Sequence, residues 1–217
     1  MKIIQKIYNS IVSRGFFMTL RFIYLEIIFD IKNSTNTSHY ISIKDLDIKD
    51  YYTKESCNYH PTNPYLLDKT FNYLVKNYNL NELGFIDMGS GEGRVLIYAS
   101  DYQFKKIVGV EFSKQLYEAS INNLAKLNNT NISVFYDDAT LFKINDKLNI
   151  FFFFSPFYGS VMKKVLKNIE QSYLNNQREI IIIYVNPVCK DQILANKNYQ
   201  VVFELSSAEV VIFERKK

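Results

Sequence analysis

The residues best placed to do chemistry lie in four short stretches along the chain. Phe85-Ile86-Asp87-Met88 runs into Gly89-Ser90-Gly91-Glu92-Gly93, and Arg94-Val95-Leu96-Ile97-Tyr98-Ala99 then resumes with helical spacing. Strand, tight turn and helix is the simplest reading. Glycine in such a turn lets a ligand approach the main chain closely, and the N–H groups that open the helix favour a carboxylate or phosphate. Ile107-Val108-Gly109-Val110 ends at Glu111, 22 positions beyond Gly89. An ionised carboxylate closing a second strand there can accept from both hydroxyls of a ribose. Two later apolar runs end in Asp137-Asp138-Ala139-Thr140 and Ser155-Pro156-Phe157-Tyr158. No Ser/His/Asp set and no metal-ligand spacing is visible, so the pattern speaks for binding and positioning, with no metal expected.

A dinucleotide site would carry G-x-G-x-x-G/A. Here the third glycine falls one residue early, and Arg94 stands where the last Gly or Ala belongs. This spacing opposes a nicotinamide-dependent oxidoreductase. The pattern Asp87-x-Gly89-Ser90-Gly91-x-Gly93-Arg94 resembles instead the first motif of class I S-adenosylmethionine (AdoMet)-dependent methyltransferases. Gly109-Val110-Glu111 is similar to that family's second motif. Asp138-Ala139, with Asp137 the near alternative, resembles the third, and Phe154-Ser155-Pro156-Phe157 stands at the position of the fourth. The resemblance covers residues 59 to 214. With Tyr59-His60-Pro61-Thr62-Asn63-Pro64 included, it points to small bacterial methyltransferases of unassigned substrate.

That resemblance implies AdoMet as cofactor. Its methionine and ribose portions would lie against Asp87, Gly89, Ser90, Gly91 and Gly93, its ribose on Glu111 and its adenine at Asp138 and Ala139. Tyr59 and Thr62 would belong to a lid over the methionine end, or the segment would only fix the start of a helix. Ser155, Pro156, Phe157 and Tyr158 would receive the methyl acceptor. The fourth motif departs from the Asn/Asp-Pro-Pro-Tyr of amino-directed enzymes, which leaves the acceptor open. An amine such as a protein lysine is one reading; a sugar, glycan or other small molecule is another, and a non-catalytic AdoMet-binding protein a third. His60 could serve as a general base, although no carboxylate partner for it is identifiable in the sequence.

The resemblance further implies an α/β fold, a Rossmann-like seven-stranded mixed sheet, to hold these turns. The periodicity agrees: helices over Leu66–Tyr78, Lys114–Leu127 and Gly159–Leu174 alternate with strands at 83–88, 107–111, 131–136, 148–154 and 179–185. Leu148-Asn149-Ile150-Phe151-Phe152-Phe153-Phe154 suits a central parallel strand buried on both faces. A short helix after Asn186-Pro187 and two adjacent strands, 200–205 and 209–213, end the chain, with Ser206-Ser207 as a hairpin.

Residues 1–58 read as an N-terminal helical appendage to a methyltransferase domain over 59–217. Apolar residues from Ile3 to Ile28 recur near helical spacing, in one helix or two broken near Gly15. This helix packs on the core or on a second subunit, or lies on a membrane through its aromatic residues and the cations Lys2, Lys6, Arg14 and Arg21. No run reaches the roughly 18 apolar residues of a membrane span, and no cleavable signal peptide is evident. Tyr40-Ile41-Ser42-Ile43 alternates like a short strand, and His39 reads as a solvated loop residue. With 47% hydrophobic and 22% charged residues the chain is an ordinary globular one. Its net charge of +4 falls short of a nucleic-acid footprint. Cys57 and Cys189, without metal or redox spacing, read as inert thiols in a reduced cytoplasmic compartment.

Overall fold

The computed structural model describes residues 8–13, 15–47, 55–127, 131–205 and 209–216. The apolar runs become strands β1 (Gly84–Met88), β2 (Lys106–Glu111), β3 (Ile132–Tyr136), β4 (Ile150–Phe154), β5 (Ile181–Val185), β6 (Tyr199–Glu204) and β7 (Val210–Arg215). They form one sheet in the order β3-β2-β1-β4-β5-β7-β6. The first five are parallel, and β7 runs antiparallel between β5 and β6. The two closing strands are thus neighbours, as expected; the Ser206-Ser207 hairpin lies outside the described residues.

Side chains alternate across this sheet, so each strand feeds two cores. Phe85, Phe152 and Ile183 point to the layer of Phe71, Leu74 and Leu96. Ile86, Phe151, Phe153 and Ile182 point to Met162, Val165 and Ile169. Every residue of β1 and β5 is buried, as a covered parallel sheet requires. The covering helices are α2 (Pro64–Asn77), α3 (Arg94–Ala99), α4 (Lys114–Leu124), α5 (Gly159–Asn175) and α6 (Lys190–Leu194), with α1 (Phe16–Asn33) ahead of them. Pro64 occupies the first turn of α2, and the Asn63 side chain accepts from Tyr65 N. Both fix where that helix begins.

The N-terminal segment is helical over 8–13 and again from Phe16, with a break at Gly15, whose φ is +85°; residues 1–7 lie outside the described residues. α1 buries Thr19, Phe22 and Phe29, with Phe22 against Tyr65 and Phe29 stacked on Tyr98. Its polar contacts converge on Arg94, whose side chain is 2% exposed. The guanidinium donates to Glu26 Oε2, to Thr37 Oγ1 at 2.8 Å, to Ser38 Oγ at 2.7 Å and to Thr62 O at 3.3 Å. It also lies 3.5 Å from Asp30. Asp30 in turn accepts from Thr35, Thr37 and Ser38.

Two local expectations change. Ile41 makes a single bridge to Tyr59, and the Ser42 side chain accepts from Lys44 N, turning the chain into a short 3-10 helix where a strand was expected. His39 is not merely solvated: its Nδ1 lies 2.7 Å from the buried carboxylate of Glu92.

Arg94→Met leaves two carboxylates without their cation and is expected to destabilise the protein by about 3–5 kcal/mol. The triple variant Arg94→Met/Glu26→Gln/Asp30→Asn should recover much of that loss. Denaturant unfolding of the three proteins checks both statements.

Candidate active site

The glycine turn is knitted to the second strand before any ligand is considered. Gly89 N and Ser90 N both donate to Val110 O, at 2.9 and 3.0 Å. Gly89 and Gly91 have φ of +90° and +54°, values that suit glycine. Both also sit under close neighbours. A Cβ on Gly89 would fall 2.5 Å from Pro156 Cβ, and one on Gly91 2.2 Å from the Tyr59 ring. The turn therefore admits two other segments onto its backbone, one from ahead of β1 and one from the end of β4.

Glu111 closes β2 inside the fold and accepts from Gly91 N at 2.8 Å and Ser113 N at 2.9 Å. Burial pushes its carboxyl up to about 7, against the pull of those backbone donors. Asp87, one strand away and equally buried, is raised by burial and by the nearby Glu111 charge. The buried hydroxyl of Ser90 has no hydrogen-bond partner among the described residues.

These groups line a cleft. Asp87, Gly89, Ser90, Glu111 and Phe112 form one wall; Tyr59, His60, Pro61 and Thr62 form the other, with Ile43 and Leu46 at the side. Past Gly89, Phe112 and Pro156 it continues into a second hollow lined by Val110, Asp137, Asp138, Ala139 and Phe157. The Asp138 carboxylate accepts from Thr140 N at 2.7 Å, and Asp137 from Asp138 N at 2.8 Å. Gly91 and Gly93 shape the turn without lining either hollow.

At the end of β4, Ser155 has φ +37° and its buried hydroxyl donates to Asn186 O. A strap crosses this motif: Cys57 N donates to Pro156 O at 3.1 Å, Tyr158 N to Glu55 O at 2.9 Å, and Ser56 bridges Phe157. Phe157 is buried and Tyr158 exposed. The Glu55 carboxylate, held below its usual range by Ser160 Oγ and Val161 N, caps α5. Burial and the nearby Cys189 sulfur push the Cys57 thiol up, so the two cysteines are neighbours despite their distance in sequence. The sequence carried no signal for this strap, because no spacing links Glu55–Cys57 to Pro156–Tyr158.

AdoMet presents a ribose diol and two cationic centres. A buried carboxylate at each of two adjacent strand ends, an unpartnered hydroxyl and a backbone turn open to close approach fit such a group. Held there, its hydroxyls would meet Glu111 and its turn-side atoms Gly89 and Ser90.

Strand order, glycine turn and strand-end carboxylate together define the class I AdoMet-dependent methyltransferase fold. The chain belongs to the family described as Conserved hypothetical protein 95, whose pattern matches residues 47–211. No curated protein matches the sequence at significant similarity. Among solved structures, the Escherichia coli protein yhhF superposes with a TM-score of 0.57 at 20% identity, over 72% of this chain and 88% of its own. An rRNA methylase from Streptococcus thermophilus gives 0.50 at 14% identity, over 70% and 96%. Magnesium protoporphyrin IX methyltransferase (ChlM) from Synechocystis, with SAM bound, gives 0.53 at 13% identity, over 70% and 79%.

Because the Glu111 carboxyl is raised in the fold, folding favours its protonated form. This group's stabilisation is complete below about pH 4.5 and is lost as pH rises through about 7. Ribose binding needs the ionised form, so AdoMet affinity is expected to rise across the same interval. Glu111→Gln should flatten that rise, and Glu111→Ala should weaken binding by about 1.5–3 kcal/mol. Titration calorimetry at several pH values checks both.

Proposed function

We propose that the protein transfers the methyl group of AdoMet to an amine. The observation that carries the acceptor side is an open groove beside the cofactor cleft. The two share His60, Pro61 and Phe154. Its floor is Phe154, Val185 and Asn186, at the carboxyl ends of β4 and β5, the side on which open α/β sheets take their ligands. Phe22 and Leu66 give it apolar walls; its charged lining is Glu209 together with Glu26, which already answers Arg94, and among the described residues no lysine or arginine lines it. Such a lining favours a cationic acceptor and disfavours a phosphate backbone. It therefore supports an amine over RNA, although one structural neighbour bears the name of an rRNA methylase.

The cofactor supplies an already electrophilic methyl group, so the chain has only to align, dry and deprotonate the acceptor. Alignment alone supplies up to about 7–11 kcal/mol of barrier reduction in the best cases. Of the Ser155–Tyr158 motif, Pro156 lines the cleft, and Pro156 and Phe157 line the second hollow, whereas Ser155 and Tyr158 line neither these nor the groove. Pro156 O keeps a lone pair beyond the bond from Cys57 N, and Phe157 brings an aromatic face that favours a cation. His60 lines both cavities, and its imidazole can take the proton an ammonium must lose before it attacks. A protein lysine is the first candidate acceptor; a small-molecule amine is the second.

Labelling a cell extract with tritiated AdoMet, followed by mass spectrometry of the product, tests this. The expected product is a base-stable N-methyl group. Base-labile esters, O-methyl sugars or labelled RNA would overturn the amine reading while leaving the cofactor site intact. Tight AdoMet binding with no label in any fraction would mark a non-catalytic protein. His60→Ala should lower kcat, measured at saturating AdoMet, by about 10²-fold or more.

A further inference from the structure

α1 has a second apolar face that the fold does not use. Phe17, Leu20, Tyr24, Ile27 and Ile31 follow one another at steps of three and four, so they form one stripe along the helix. All five are exposed, Phe17 at 85% and Ile31 at 67%. Tyr8 and Val12, in the helical turn ahead of it, are exposed as well. A contiguous apolar stripe of this length on a soluble surface marks a contact.

The charges say what kind of contact. The two acids of α1, Glu26 and Asp30, turn inward to Arg94. The charged residues left on the outer side of the helix, Arg21 and Lys32, are cations on one flank of the stripe. Arg21 lies over the Tyr65 ring, where Lys69 joins it. Lys32 is 3.7 Å from Asp101 across an exposed and therefore weak ion pair. A second copy of the chain packed on this stripe would bring its own Arg21 and Lys32 to this flank, where the acid shown beside them, Asp101, already pairs with Lys32. Among the described residues no helix is long and apolar enough to cross a membrane. An aromatic and aliphatic stripe edged by cations is the pattern of a helix lying in a lipid interface.

We propose that α1 lays its outer face on an anionic membrane surface. The apolar stripe enters the headgroup boundary, and Arg21, Lys32 and Lys69 meet the lipid phosphates. This rests on the helix face alone and holds whatever the acceptor is.

Co-sedimentation of the full chain with vesicles tests it, using equimolar phosphatidylcholine and phosphatidylglycerol against phosphatidylcholine alone. The protein should pellet with the anionic vesicles and stay in the supernatant with the neutral ones. Phe17→Ser/Ile27→Ser/Ile31→Ser should stay in the supernatant with both, with little change in unfolding temperature, since these side chains are mostly exposed. Arg21→Gln and Lys32→Gln should each weaken vesicle binding about fivefold. Failure of the wild-type chain to pellet with anionic vesicles would overturn the proposal. So would equal pelleting with neutral ones, or a wild-type dimer in light scattering that the triple variant converts to monomer.

Discussion

A guanidinium held out of water must be surrounded by acceptors, and Arg94 obtains them from a part of the chain far from its own helix. It stands at the first position of α3, directly after the glycine turn, and gathers Glu26, Asp30, Thr37, Ser38 and the Thr62 carbonyl. Three consequences follow from that one residue. The α1 helix is fixed in place, the loop after it is wound around Asp30, and the Tyr59–Asn63 segment is drawn over the glycine turn. The neighbouring Glu92 repeats the pattern on a smaller scale, bringing His39 and the Tyr59 hydroxyl to the same place. Asn123 ties the Asn36 backbone to Glu92 O, and Asp47 accepts from Ser113. The described residues from Phe16 to Asp47 are thus packed on the cleft, with Ile43 and Leu46 lining it.

The cleft holds two carboxyls that the fold alone would not choose. Asp87 and Glu111 lie near the ends of adjacent strands and both are buried; burial makes each resist ionisation, Asp87 further for the charge of Glu111 and Glu111 for that of Asp47. A site built only for stability would place apolar residues there. Two carboxyls kept together out of water become favourable when a cation with hydroxyls arrives, so their cost to the fold and their affinity for the cofactor share one origin.

What could be read from the sequence was what neighbours in sequence decide. The glycine turn, Glu111 at the end of β2 and the all-apolar β4 are local patterns, and the βα alternation that carries them follows from periodicity. The ends of the helices were less legible, α4 stopping at Leu124 although apolar spacing continued to Leu127. Long-range pairing escaped altogether. Arg94 looked like a mere departure from a glycine pattern, because its carboxylate partners lie 68 and 64 residues earlier. Ser42 turned a strand-like alternation into a 3-10 turn through one side-chain bond. Ser155 and Pro156 were expected to face an acceptor, and both also hold the frame together, through Asn186 and Cys57.

The strap over β4 also bears on the order in which the molecule can assemble. Ser56 and Cys57 are stitched to Phe157 and Pro156 by backbone contacts that span about a hundred residues, and closing so large a loop is slow. During synthesis the glycine turn and Glu111 leave the ribosome well before the turn at the end of β4. A chain halted between them has the glycine turn, Glu111 and the Tyr59–Thr62 wall but not the Phe154 and Pro156 side of the cleft. Cofactor binding is therefore a late event in the life of each nascent molecule, and a bound cofactor reports that everything through the start of α5 has already docked.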